Sequence, residues 1–185
     1  VQAETVLWRR LDRPGHEAAR LVFHAPFWQL GGTAVYVEAG EICRIEYRIT
    51  CDADWTILHA DLRGWAGSRQ LARTITVSPQ RCWRLDGREC SEVEGCLDLD
   101  LSFSPATNLL AVRRLALAVG ESGGVRAAWL RFPEGSLEPL DQLYRRTSPE
   151  RYHYESGGVF ATDLEVSDSG FVTRYPGRWE RERFE

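Results

Sequence analysis

Residues 41–51, EICRIEYRITC, put Cys43, Ile45, Tyr47, Ile49 and Cys51 on one side of an extended chain and Arg44, Glu46, Arg48 and Thr50 on the other. Side chains of a helix recur every 3.6 residues, so unbroken two-residue alternation over this length demands a strand with one face in a core. Trp55 to Gly64 repeats the pattern with Thr56, Leu58, Ala60 and Leu62 on one side, and Asp52-Ala53-Asp54 supplies the turn between the two runs. Further strand candidates run Arg20 to Leu30, Thr33 to Ala39, Leu71 to Ser78, Cys82 to Leu85, Leu97 to Phe103 and Val125 to Phe132. Arg151 to Glu155, Val159 to Val166 and Phe171 to Tyr175 complete the set. Gly31-Gly32, Asp86-Gly87, Gly157-Gly158 and Asp168-Ser169-Gly170 read as turns between them. Strands recurring roughly every 8–12 residues predict a mainly β sandwich, barrel or roll.

One helix is expected, over Ser136 to Arg146 (SLEPLDQLYRR). Leu137, Leu140, Leu143 and Tyr144 fall at helical spacing, acids sit early, arginines sit late and Ser136 can cap the start. Asn108 to Ala118 satisfies both periods in part and reads as a turn or short helix feeding a strand. The C-terminal RWERERFE reads as a solvated, charge-mixed end.

The chain has 185 residues, of which 43% are hydrophobic and 27% charged, a globular composition that fits one domain over 1–185. Its net charge of −4 argues against nucleic acid as a partner, since phosphate neutralisation calls for a concentrated basic surface. All the basic residues are arginines, so chemistry that needs a lysine amine is excluded. No run approaches the ~20 apolar residues of a membrane span, and the charged N-terminal stretch lacks the apolar segment of a secretory signal. An integral membrane protein is therefore not expected, and the expected location is cytoplasmic. Five cysteines without a C-x-x-C pair suit reduced thiols packed as small core residues. Cys43 and Cys51 point the same way but, eight residues apart in an extended chain, lie too far apart to share a metal. No metal or cofactor is expected.

Two patterns carry a catalytic reading. Gly120-Glu121-Ser122-Gly123-Gly124 satisfies G-x-S-x-G, but a nucleophile elbow needs a helix after the serine and VRAAWLRFP alternates like a strand. His59 and Asp61 share a strand face and could act as a base and its orienter, yet no partnered nucleophile accompanies them. A hydrolase using Ser122, or His59 with Asp61, is thus an alternative to a binding protein, and a structural or protein-interaction homodimer is another. Asp98 and Asp100 lack both the cleft of a glycosidase and the loop of a calcium site, and read as an outer polar face or as structural hydrogen bonds. The aromatic supply, with Trp55, Trp65, Trp83 and Trp129 all in expected strands, fits core packing first and a lipid-sized pocket second.

The ordered combination of Trp83-Arg84-Leu85-Asp86-Gly87, Gly95-Cys96-Leu97-Asp98-Leu99-Asp100, Ser104-Pro105-Ala106-Thr107-Asn108 and Arg113-Arg114-Leu115 resembles the "Putative glycolipid-binding" family, whose fold is called a spiral β-roll. Ala128-Trp129, Phe132-Pro133, Leu140-Asp141-Gln142-Leu143-Tyr144, Tyr152-His153-Tyr154, Gly170-Phe171-Val172 and Tyr175-Pro176 extend the likeness over most of the chain. Ala111 departs from it, standing where a proline is expected. The resemblance implies a many-stranded antiparallel sheet wound spirally around a single α-helix, assembly as a homodimer, and kinship in shape to bacterial lipoproteins that carry lipids. It also implies non-catalytic binding of a glycolipid or other acyl-chain ligand in an apolar cavity between sheet and helix. Tyr47, Trp55, Trp83, Trp129 and Tyr144 are the expected contacts, with Arg113 or Arg114 available to an anionic headgroup.

Overall fold

The structure, a computed structural model, describes residues 3–183, so the first two and last two residues of the expected 1–185 domain lie outside the described residues. The strands are β1 (Ala3–Arg10), β2 (Gly15–His24), β3 (Phe27–Glu38), β4 (Glu41–Cys51), β5 (Ile57–Ala66), β6 (Arg69–Val77), β7 (Trp83–Leu85) and β8 (Arg88–Glu89). They continue with β9 (Asp98–Leu101), β10 (Ser122–Leu130), β11 (Leu137–Ser148), β12 (Arg151–Ser156), β13 (Phe160–Val166), β14 (Val172–Tyr175) and β15 (Trp179–Arg181). A single α-helix, α1 (Asn108–Leu115), lies between β9 and β10 among the described residues.

All fifteen strands form one curled sheet in the order β8-β7-β6-β5-β4-β3-β2-β1-β15-β14-β13-β12-β11-β10-β9. Two antiparallel meanders, β1 to β8 and β10 to β15, are joined where the first strand pairs with the last, Trp8 opposite Arg181 and Arg10 opposite Trp179. The exception is β9, which pairs parallel to β10. Parallel neighbours cannot be joined by a hairpin and need a crossover, and α1 is that crossover. The fold is thus the mainly β roll around one helix that the sequence leads one to expect.

The inner face is the one the alternation marks: Cys43, Ile45, Tyr47, Ile49 and Cys51 are all buried. The large core cluster joins these to Leu109 and Leu110 of α1, and Trp8 seals the junction of the two meanders by donating its indole N–H to the carbonyl of Val172 at 2.7 Å. A second cluster under β10 to β14 takes Ala111 and Val112 from the same helix. Cys43, Cys51 and Cys96 are buried free thiols, as the cysteine reading requires.

Five expectations are corrected. The helix over Ser136–Arg146 is strand β11, paired with β10 on one side and β12 on the other. Its leucine stripe is outweighed by two flanking strands, against which Gln142 and Tyr144 alternate inward. The helix is instead Asn108–Leu115, with no strand directly after it: Ala116 closes it in the left-handed conformation, its N–H on the carbonyl of Val112. Arg20 to Leu30 is not one strand, since a turn at Ala25-Pro26 divides β2 from β3. Gly31-Gly32 is not a turn but the middle of β3. Finally, the C-terminal stretch is not merely a solvated end, because Trp179 is buried and β15 completes the sheet; Phe184 and Glu185 lie outside the described residues.

Candidate functional site

The expected contact residues divide between the core and the surface. Tyr47 is buried and donates its hydroxyl to Oε1 of Glu17 at 2.5 Å, and the hydroxyl of Ser104 donates to the same oxygen at 2.5 Å. Glu17 is wholly buried, and burial pushes its carboxyl up to about 7 against the opposing pull of these two hydroxyls and of Arg10. Trp83 is fully buried and donates its indole N–H to the carbonyl of Cys96 at 3.0 Å. Tyr144, also fully buried, accepts from the amide of Asn108 at 2.8 Å, tying β11 to the first turn of α1. Trp129 is half-buried on β10 beneath the guanidinium of Arg131, 5.2 Å from its ring.

The arginine pair has two separate tasks. Arg114 reaches back to β9 and clamps Asp98 with hydrogen bonds of 3.0, 3.0 and 2.6 Å. Asp98 is buried, which raises its carboxyl pKa, and the guanidinium opposes that rise. Asp100 accepts from the amide of Gln142 at 2.6 Å, so the Asp98/Asp100 pair serves structural hydrogen bonds rather than an outer face. The Arg113 guanidinium carbon lies 4.9 Å from the Trp55 ring centre, Trp55 stacks on Trp28 at 4.4 Å, and Trp28 meets Phe23 at a tilt at 4.7 Å. Of the expected contacts, the structure brings Trp55 and Arg113 together and leaves the others apart. The space between sheet and helix is occupied by the protein's own side chains: Leu109, Leu110, Phe103 and Ala111 are buried there.

His59 donates its Nε2–H to the Asp61 carboxylate at 2.8 Å on the outer face of β5, and this bond, with a second from the Thr74 hydroxyl, holds the Asp61 carboxyl below its usual value. Ser122 opens β10, far along the sheet from β5, and among the described residues hydrogen-bonds to neither. A small recess of about 190 Å³ lies beside the end of α1, with Arg113 and Arg146 in its wall.

The substantial cavity is elsewhere. A groove of about 870 Å³ runs over the outer face of β1 to β5. Its centre is Gly31, which pairs with Arg20 on β2 and Arg48 on β4, so a bare stretch of backbone is flanked by two exposed arginines. Arg63 stands in the adjacent row, opposite Glu46. Gly32, the next residue, faces inward where a Cβ would run into the Tyr47 ring; at Gly31 the nearest atom to an added Cβ is the Tyr47 carbonyl oxygen at 3.5 Å. Only Tyr47 of the expected contacts lines this groove. The signal for it was Gly31-Gly32 inside a strand, which marks close approach of a backbone or a ligand as readily as a turn.

The chain matches the family described as "Putative glycolipid-binding" over residues 5–181. Among solved structures, the crystal structure of a DUF1089 family protein from Pseudomonas aeruginosa is similar, with a TM-score of 0.77 and 25% sequence identity over 98% of this chain and 93% of that one. No curated protein matches the sequence. No helix among the described residues is long and apolar enough to cross a membrane. With the curled sheet, the crossover helix and the Asp98–Arg114 clamp all accounted for within the matched residues, the chain belongs to the "Putative glycolipid-binding" family.

Proposed function

We propose that the protein is a non-catalytic glycolipid-binding protein and that the groove across β1 to β5 receives the ligand's headgroup. The groove is the observation that carries this reading. At about 870 Å³ it falls within the size range of small-molecule sites, and it sets the apolar Val22 beside hydrogen-bonding groups at Gln29 and Thr33. An acyl chain lodged between sheet and α1 would have to displace Leu109 and Leu110, which have no exposure, whereas the groove is open as it stands. The separation of Ser122 from His59 and Asp61 along the sheet supports binding over hydrolysis. Co-sedimentation of the full chain with phosphatidylcholine vesicles, with and without galactosylceramide, tests the reading. Retention on the glycolipid vesicles is expected, and equal recovery from both kinds of vesicle would refute it.

A further inference from the structure

We infer that the headgroup held in the groove is anionic, with a sulfate, phosphate or carboxylate seated between Arg20 and Arg48 above Gly31. This rests on the reading of the groove as a glycolipid site and specifies the chemistry it selects. Arg20, Gly31 and Arg48 are consecutive cross-strand partners on β2, β3 and β4, all facing outward. The two arginines are therefore two strand spacings apart, about 10 Å between backbones, a span that two long guanidinium side chains close upon a small oxyanion. The glycine between them leaves no side chain in the way.

The charge balance of the groove points the same way. Its two carboxylates are already engaged: Glu46 by Arg44, and Asp61 by His59 and Thr74. Among the described residues, Arg20, Arg48 and Arg63 form no ion pair and no side-chain hydrogen bond, although most of the chain's other arginines are so engaged. Three guanidinium groups without an ion pair among the described residues thus face one concave surface and outnumber its two carboxylates, Glu46 and Asp61, in a protein whose net charge is −4. Arginine suits this task because its planar fork matches two oxygens of a tetrahedral or carboxylate anion.

The test uses two glycolipids that differ only in one anionic group, 3-O-sulfogalactosylceramide and galactosylceramide, each in phosphatidylcholine vesicles at fixed salt. The full chain is expected to bind the sulfated lipid at least about tenfold more tightly. Arg20→Gln and Arg48→Gln should each reduce that preference severalfold, while Arg126→Gln, exposed on β10 outside the groove, should leave it as it is. Gly31→Thr keeps every charge but fills the floor, so its loss of the preference separates a built site from a diffuse charge patch. Thermal melts confirm that each variant is folded. Equal binding of the two lipids, indifferent to Arg20 and Arg48, would overturn the anionic inference while leaving glycolipid binding in place. Binding of neither lipid would overturn both. Free galactose 3-sulfate binding as tightly as the sulfated lipid would uphold the anion site and overturn the lipid as its source.

Discussion

The guanidinium of Arg113 lies 4.9 Å from the ring of Trp55, and Trp55 itself stacks on Trp28 at 4.4 Å, so α1 is fastened to the turn before β5 by a column of π faces. Trp55 holds a positive φ of 68°, a conformation that an L side chain adopts at a cost and that this stack offsets. Arg113→Met should lower unfolding free energy by about 1 kcal/mol, and Trp55→Ala by about 2–3 kcal/mol because the half-buried ring also loses its packing. A double-mutant cycle in urea measures the coupling; its absence would mean that the two side chains are neighbours without mutual stabilisation.

Arg114 and Asp98 should behave quite differently. The Asp98 side chain is 3% exposed and that of Arg114 17%, so removing one partner strands a charge where water hardly reaches. Asp98→Ala is expected to cost roughly 3–5 kcal/mol. Replacing both, as Asp98→Leu with Arg114→Met, should recover most of that loss, because no unpaired charge remains. Denaturant midpoints of the three variants decide the matter.

Glu17 gives the fold a pH dependence. Its folded pKa of about 7 stands above the reference value of 4.5, so between these values the folded state holds a proton that the unfolded chain has released. The stabilisation is full below pH ~4.5 and is lost as the pH rises to about 7, amounting to about 3 kcal/mol across that window. Asp100, pushed by burial up to about 6, contributes in the same direction over a lower range. Glu17→Gln should flatten the wild-type decline between pH 4.5 and 7 while retaining the part due to Asp100. Equilibrium unfolding measured from pH 4 to 8 shows whether the two curves run together near pH 4 and separate as the pH rises toward 7.

The adjacent glycines of β3 should respond in opposite ways to the same change. Gly32→Ala drives a methyl group into the buried Tyr47 ring and is expected to cost about 1–3 kcal/mol, or roughly 5 °C in melting temperature. Gly31→Ala meets only ordinary contact and restricts the unfolded chain, so it should be neutral or stabilising by up to about 1 kcal/mol. Scanning calorimetry of both variants tests the assignment of their faces.

Strands with one clear partner face were legible in the sequence. Residues 41–51 are β4 with the expected inner face, and the runs that became β6, β10, β12 and β13 were placed to within a few residues. Where both faces are covered, local pattern loses its meaning. Asp98 is buried although it alternates with leucines, because α1 brings Arg114 to meet it. The expected contacts Trp83 and Tyr144 turned out to be core residues, since a one-dimensional pattern can mark a side chain as inward-facing without showing whether a ligand or another strand waits there.

By itself the sequence determined the strand periodicity, the inner face of the sheet and the family, because two-residue alternation and an ordered set of short motifs are local properties of a chain. Tertiary structure alone decided that Leu137–Ser148 is a strand and Asn108–Leu115 the helix, since each segment suits more than one conformation and its neighbours choose. It also decided that Arg20, Gly31 and Arg48 meet. They lie on three strands, and only the register of β2 and β4 against β3 sets two cations on either side of a bare backbone.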